Sequence, residues 1–212
     1  MNIAIIGTGN IGSGLAHTLA HTRHSVTVAG LADADGPALA EKLAAEKNVK
    51  VTGSSVAKAI KAADIVVLAV PFAAITEVAK AANFKGKTVV DVTNPIEADF
   101  SGIVIGHSSS AAEEVQKLLP GAKVVKAFNT VFAQIYDQGL SFDGRKVSAF
   151  IASDDEGAKA AVIDFANEAG FDAIDSGPLK NARYIEPLGY LNIQFGYMLG
   201  RGTQIAPAWL SR

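Results

Sequence analysis

The sequence contains no cysteine, and this absence excludes several kinds of chemistry at once. Disulfide bonds, thiolate nucleophiles, zinc ribbons and iron–sulfur clusters all depend on cysteine side chains. A chain without cysteine also fits a reducing compartment, in which disulfides would not persist. We therefore expect that any redox chemistry of this protein comes largely from a bound cofactor.

The sequence also lacks a surplus of basic charge and a long apolar run. Nineteen Lys and Arg residues are matched by 21 Asp and Glu residues, so a net charge of −2 gives no indication of a nucleic-acid partner. The opening residues, MNIAIIG, contain no basic n-region, and no apolar stretch has the length of a membrane span. We expect a cytoplasmic globular protein that binds neither nucleic acid nor a membrane.

Short apolar runs alternate with longer Ala-rich segments along most of the chain. Strands are predicted near residues 2–6, 25–29, 49–51, 64–70, 88–92, 124–126, 146–151 and 172–174. Helices are predicted near residues 11–22, 37–46, 54–61, 72–82, 109–119, 156–169 and 181–200. This alternation favours parallel pairing through right-handed crossovers.

The order of these elements predicts an α/β fold of the Rossmann type, with a doubly wound, mainly parallel sheet. A compositional shift after Gly177, where aromatic, Asn and Gln residues collect, divides the chain in two. We expect a dinucleotide-binding Rossmann domain over residues 1–176. A C-terminal helical extension over residues 177–212 would line the acceptor site, a dimer interface or both.

The clearest motif is a glycine-rich turn directly after the first predicted strand. Residues 7–12 read Gly-Thr-Gly-Asn-Ile-Gly, a GxGxxG sequence that opens the first helix. Gly7 permits a tight turn, Gly9 lets the backbone approach a pyrophosphate, and Gly12 lets the helix lie close to the strand. The helix N-terminus adds free N–H groups and partial positive charge, so this context predicts a dinucleotide site.

The residues after the second strand leave the choice between the two nicotinamide dinucleotides open. NAD enzymes usually carry Asp or Glu here for the ribose hydroxyls, and NADP enzymes usually carry an Arg nearby for the 2′-phosphate. This chain has Gly30 and Leu31, and its nearest acids, Asp33 and Asp35, come slightly later. A missing Arg–phosphate pair forfeits about 1.5–3 kcal/mol, whereas a missing acid spares NADP a repulsion.

Three further segments follow predicted strands, at the edge where such sheets bind ligands. They are Val70-Pro71-Phe72, Thr93-Asn94-Pro95 and the KAFNT segment at residues 126–130. With the opening IAIIGTGNIGSGLA and the GPLKNAR step at residues 177–183, they resemble the family of coenzyme F420-dependent NADP oxidoreductases. The KAFNT segment is also similar to the NADPH-binding domains of STEAP-type ferric reductases.

The resemblance implies hydride exchange between a nicotinamide, NADP(H) rather than NAD(H), and an acceptor ring that is coenzyme F420 or a flavin. The residues that it implies around the pyrophosphate are Gly7, Thr8, Gly9, Asn10, Ile11 and Gly12. Those that it implies on the nicotinamide side are Val70, Pro71 and Asn94, and those facing the acceptor are Asn129, Thr130 and Leu179. Gly30 and Leu31 stand where the family carries Ser or Thr and then Arg, and Asn129 stands where the deazaflavin enzymes carry His.

Hydride transfer between two cofactor rings depends on proximity and orientation, so no catalytic side chain is predicted. A NADPH-dependent reductase of a small carbonyl, imine or quinone is an alternative. It would need a proton donor near the nicotinamide, for which Lys180, Tyr184 and Tyr190 are the nearby candidates. A non-catalytic redox sensor is a third interpretation, and it would bind NADPH without acceptor-dependent oxidation.

Other polar or aromatic clusters are interpreted structurally. Ser109 or Ser110 is expected to cap the following helix, with Glu113 as its capping-box partner. No carboxylate at ligand spacing accompanies three histidines, which are interpreted as surface residues: His17, His21 and His24. An apolar set in the C-terminal region could form a wall of the acceptor site, but its helical spacing favours core or the interface of a homodimer: Phe195, Tyr197, Met198 and Trp209.

The substitution Leu31→Arg tests the reading of the second strand. A guanidinium at this position can pair with a 2′-phosphate, so we expect the affinity for NADPH to rise about tenfold or more relative to NADH. Calorimetric titration of both nucleotides gives the ratio of their dissociation constants. An unchanged ratio would mean that the 2′-phosphate is held elsewhere or not at all.

Overall fold

Eight strands build one sheet, and a separate two-stranded hairpin lies beside it. The computed structural model describes residues 1–210, so the last two residues of the predicted 177–212 extension lie outside the described residues. The strands of the sheet are β1 (Asn2–Ile6), β2 (Ser25–Ala29), β3 (Thr52–Gly53), β4 (Ile65–Leu68), β5 (Thr88–Asp91), β6 (Lys123–Lys126), β9 (Ser148–Ser153) and β10 (Asp172–Asp175). The hairpin consists of β7 (Ser141–Phe142) and β8 (Arg145–Lys146).

Helices connect the strands and cover both faces of the sheet. They are α1 (Asn10–Leu19), α2 (Asp35–Lys47), α3 (Val56–Ala62), α4 (Ile75–Ala81), α5 (Ala111–Leu118), α6 (Ala133–Gln138), α7 (Glu156–Glu168) and α8 (Ala182–Ile193). Single 3₁₀ turns at Phe72–Ala74 and Leu179–Asn181 precede α4 and α8, and a π turn at Gln194–Met198 follows α8. Among helices within residues 1–210, none combines the length and the apolar character that a bilayer span needs.

The sheet order is β10-β9-β6-β5-β4-β1-β2-β3, with the crossover point between β1 and β4. Every neighbouring pair in the stretch β6-β5-β4-β1-β2-β3 is parallel, which confirms the predicted Rossmann-type arrangement. The exception in this mainly parallel sheet is the pair of β6 and β9, which run antiparallel. The chain between them holds the short α6 and the hairpin, and it stays at the carboxyl edge of the sheet, so β9 enters from that edge.

Alternate residues of the central strands pack against different layers of helices, as expected for strands buried on both faces. Ile3 and Ile5 of β1 belong to the core shared with α1, α2, α6 and α7. Ala4 and Ile6 of the same strand belong to the core shared with α3, α4, α5 and the start of α8. The turn after β1 is therefore anchored on both sides by apolar packing.

A buried ion-pair cluster joins three separate segments. Lys126, the last residue of β6, lies 2.7 Å from Asp91 Oδ2 and 2.8 Å from Glu186 Oε1, and all three side chains are almost fully buried. Its ammonium also donates to the carbonyl oxygen of Thr93 at 2.6 Å. Because every donor of the ammonium has an acceptor, the cluster satisfies the main requirement for burying a charge.

Glu186 also holds the beginning of α5. Its carboxylate accepts the backbone N–H groups of Ala111 at 2.8 Å and Ala112 at 3.1 Å. Burial raises the pKa of the Glu186 carboxyl, whereas Lys126 and the amide donor of Ala111 lower it. One side chain of α8 is thereby bonded to both a strand end and a helix start.

The variant Glu186→Ala tests the importance of this cluster. It leaves the buried ammonium of Lys126 with one carboxylate fewer and exposes two N–H groups of α5. We expect the free energy of unfolding to fall by about 3–5 kcal/mol, as for other broken buried pairs. Urea denaturation gives the value, and Glu77→Ala on the exposed face of α4 should change it by less than about 0.5 kcal/mol. Equally small changes in the free energy of unfolding for both variants would contradict the stabilising role of Glu186 in the cluster.

Candidate functional site

The glycine-rich turn has one glycine that faces open space and two that the fold requires. Gly7 has φ +124°, and a Cβ there would collide with the carbonyl oxygen of Ala69. A Cβ on Gly12 would collide with the carbonyl oxygen of Gly7. Gly9 instead has an ordinary extended backbone, and a Cβ there would have no atom of residues 1–210 within 4 Å. The turn thus leaves a cradle at Gly9 that a side chain would fill.

A groove of about 300 Å³ starts at this cradle and runs along α2. It is lined by Thr8, Gly9, Asn10, Ser13, Asp35, Ala38, Leu39 and Lys42. Gly30 and Leu31 lie beside it at the end of β2, with Leu31 exposed and Gly30 in contact with Asp35. This groove occupies the place where a Rossmann fold binds the adenosine half of a dinucleotide.

A larger cavity of about 360 Å³ opens on the other side of Asn10, where the strands end. Its walls come from four segments: the start of α1, the loop after β5, residues 128–134 after β6, and α8 with its π turn. The residues predicted for the cofactor or acceptor that line it are Asn10, Ile11, Asn94, Asn129 and Thr130. Asn10 lines both spaces, so the groove and the cavity adjoin at this residue.

Two asparagines hold each other at the floor of this cavity. Asn94 Nδ2 donates to the carbonyl oxygen of Asn129 at 2.8 Å, and Asn129 Nδ2 donates back to Asn94 Oδ1 at 2.8 Å. Asn129 Nδ2 also donates to the carbonyl oxygen of Ile185 at 3.1 Å. Gly189 of α8 lies directly over the pair, and a Cβ there would come within 2.8 Å of Asn94 Oδ1. The absent side chain of Gly189 lets α8 close the cavity.

Two residues that line the cavity each carry a buried polar atom that has no hydrogen-bond partner within the described part of the chain, residues 1–210. The two atoms are Asn129 Oδ1 and Thr130 Oγ1. Buried polar atoms are rarely left unpaired, so these two are suited to a ligand that brings an N–H donor and an acceptor. The carboxamide of a nicotinamide offers both groups, and the residues present therefore fit this cofactor.

Several predicted site residues do not line the cavity. Val70 and Pro71 lie beside the glycine turn, where the backbone N of Val70 would be 3.2 Å from a Cβ on Gly7, and the Val70 side chain is buried. Leu179 is buried in the core shared with α3, α4 and α5. The cofactor roles of these three residues stay predictions.

The loop after β5 and the C-terminal region contribute cavity residues that sequence reasoning largely missed. Phe100, in the loop between β5 and α5, lines the cavity with φ +60°, and its carbonyl oxygen accepts the Tyr190 hydroxyl at 2.9 Å. Asn192 Nδ2 donates to the carbonyl oxygen of Thr130 at 3.1 Å. Tyr197 lines the cavity in edge-to-face contact with Phe132, their ring centroids 5.5 Å apart. Only the aromatic composition of the C-terminal region gave a signal, and it singled out Tyr197 as one option.

The cap prediction is confirmed, and the interpretation of one histidine is wrong. Ser110 is the N-cap of α5, with its hydroxyl 3.2 Å from the N–H of Glu113 and 2.8 Å from the carboxylate of Glu113. His24 is buried rather than exposed, because it packs against Phe165 beside the start of β2. In the part of the chain that the structure describes, no three His, Asp or Glu side chains are grouped as metal ligands.

The variant Gly9→Val is expected to fold normally and to lose dinucleotide binding. Its backbone angles suit any residue, and the new side chain would occupy the cradle that a pyrophosphate needs. Calorimetry should show at least a hundredfold weaker binding of NADPH, with a thermal midpoint close to that of the parent. Gly106→Val is the control, because a Cβ there also meets open space away from the turn. Unchanged NADPH affinity in Gly9→Val would refute the assignment of the groove.

Comparison with known proteins agrees with this geometry. Residues 2–95 match the family model of NADP oxidoreductases that are coenzyme F420-dependent. The F420-dependent NADP reductase of Methanothermobacter marburgensis is 33% identical over 205 residues, which cover 89% of each chain. The metalloreductase STEAP3 of Rattus norvegicus is 37% identical over 103 residues, covering 49% of this chain and 20% of that protein.

A solved structure extends the similarity to the whole fold. A protein provisionally identified as an F420-dependent NADP reductase, from Arthrobacter sp. FB24, superposes with a TM-score of 0.78 and 29% identity. The match covers 97% of this chain and 99% of that one, including the C-terminal helical region. With the cradle at Gly9 and the cavity beyond Asn10, these similarities show that the chain belongs to the family of coenzyme F420-dependent NADP oxidoreductases.

Proposed function

We propose that this protein transfers hydride between NADP(H) and a deazaflavin, coenzyme F420, or a flavin-like acceptor. The observation that carries the proposal is the groove at the Gly9 cradle that adjoins, at Asn10, a cavity whose lining residues Asn129 and Thr130 each carry an unpaired buried polar atom. The relatives support both substrates by their names. When bound, the nicotinamide supplies the hydride or receives it.

The protein's own residues orient and shield the two rings. The N–H groups at the start of α1 bind the pyrophosphate. Asn129 is fixed by three hydrogen bonds, so its free Oδ1 is preorganised to accept from a carboxamide N–H. Phe100, Phe132 and Tyr197 provide apolar walls that hold an aromatic ring and exclude water. No protein acid or base is required, because hydride passes directly between the rings and the ring nitrogen of the reduced acceptor can take its proton from water.

The structure bears on the alternative of a small carbonyl, imine or quinone reductase, which would need a proton donor. The Tyr190 hydroxyl already donates a hydrogen bond to the carbonyl oxygen of Phe100, and neither it nor the exposed Tyr184 and Lys180 lines the cavity. The hydroxyl of Thr130 is too weak an acid to serve as a general acid near neutral pH. The arrangement therefore favours an acceptor that takes hydride without a protein proton.

We further propose that the protein is a cytoplasmic homodimer. The support is a set of large apolar side chains that are more than half exposed and lie in or after α8: Tyr184, Tyr197, Met198, Leu199, Trp209 and Leu210. Exposed apolar groups in such number are costly unless a partner covers them. Sedimentation equilibrium measures the mass directly, and a monomer at micromolar concentration would contradict the dimer.

Anaerobic bleaching of oxidised coenzyme F420 tests the reaction. We expect the visible band of the deazaflavin to disappear when NADPH and enzyme are both present, with flavin mononucleotide as the second acceptor in a parallel cuvette. Thr130→Val removes one unpaired cavity hydroxyl and should slow bleaching about tenfold or more, whereas Thr76→Val on the exposed face of α4 should not. Tight NADPH binding without bleaching of either acceptor would favour the sensor or the small-substrate reductase.

A further inference from the structure

The fold brings a carboxylate to the end of β2, although the sequence has none there. Asp35 is the first residue of α2, and its side chain lies against Gly30, where a Cβ would come within 2.6 Å of Asp35 Oδ2. The N–H of Ala32 donates to the same oxygen at 3.2 Å. The short loop at residues 31–34 therefore folds back, and the missing side chain of Gly30 makes room for the carboxylate.

An ammonium shares the groove with this carboxylate. Lys42 follows Asp35 by seven residues, about two helical turns, so both project from the same face of α2. Both line the groove that begins at the Gly9 cradle. The Lys42 side chain is 62% exposed, and its ammonium lies 4.0 Å from Glu46, at the outer limit of an ion pair. Such a pair holds the ammonium weakly, which leaves Lys42 able to turn toward an anion.

These two charges favour different forms of the adenosine ribose. A carboxylate accepts hydrogen bonds from the free 2′-hydroxyl and 3′-hydroxyl of NADH, and it repels a 2′-phosphate. An ammonium attracts the 2′-phosphate of NADPH and has little effect on a neutral ribose. The Arg that the family carries after the second strand would favour one form only, and here Leu31 replaces it.

We propose that Asp35 and Lys42 together recognise the 2′-hydroxyl or the 2′-phosphate of the adenosine ribose, so that this protein binds NADH as well as NADPH. The proposal rests on the proposed function, since it requires the Gly9 groove to hold a dinucleotide. Asp35 is the residue that admits NADH, and Lys42 is the one that retains NADPH. The dual specificity follows from replacing an arginine with two opposite charges on one helix face.

Direct binding measurements test the proposal without any acceptor. Isothermal titration at fixed, moderate salt gives the dissociation constants of NADPH and NADH, and we expect the parent values to agree within about tenfold. Asp35→Asn keeps an oxygen for the Ala32 N–H and removes the charge, so NADPH affinity should rise about tenfold relative to NADH. Lys42→Gln should weaken NADPH about tenfold and change NADH by less than about twofold.

Matched controls remove the same charges elsewhere. Glu41→Gln on the exposed part of α2 and Lys58→Gln on α3 should leave the ratio of the two dissociation constants unchanged. A parent preference above about a hundredfold for either nucleotide, or an unchanged ratio in both variants, would overturn the proposal. If Asp35→Asn lowered the thermal midpoint strongly, Lys42→Gln would still decide the matter. Failure of the parent to bind either nucleotide would instead refute the proposed function.

Discussion

The rest of the site depends on the buried ammonium of Lys126. This group lies between Asp91 at the end of β5 and Glu186 in the middle of α8, and Glu186 in turn bonds the start of α5. A buried ion pair contributes less to stability than its short distances suggest, because desolvation offsets most of the attraction. Its main contribution is to fix the position of α8, since any other placement of this helix would leave a charge unpaired.

The placement of α8 creates the cavity. With Glu186 fixed, Gly189 comes one turn later over the Asn94–Asn129 pair, and Asn192 reaches the carbonyl oxygen of Thr130. The same helix presents Tyr190 to Phe100, which fixes the loop after β5. One helix therefore closes the space beyond Asn10, orients Asn129 and leads into the π turn that carries Tyr197. The proposed dinucleotide groove lies in the first half of the chain, and α8 encloses the cavity beside it.

Cofactor choice shows a second effect of tertiary structure on chemistry. The two residues directly after β2, Gly30 and Leu31, carry no charge. In the folded chain the groove beside the cradle contains both Asp35 and Lys42. A specificity rule tied to one sequence position thus missed a carboxylate that comes from the next helix. The sequence shows Asp35 only a few residues after Gly30, but the fold decides that its carboxylate fills the space beside Gly30.

The sequence by itself determined the parallel core of the sheet, the glycine turn and a serine cap on α5 at Ser109 or Ser110, because period, turn chemistry and capping are local properties. It also indicated the family, through motifs at strand ends. Only the tertiary structure decided the antiparallel entry of β9, the burial of His24 and the pairing of Asn94 with Asn129. Those features depend on residues far apart in the chain, and their energies arise from desolvation and packing that exist only after folding. Local sequence patterns carry no record of such contacts.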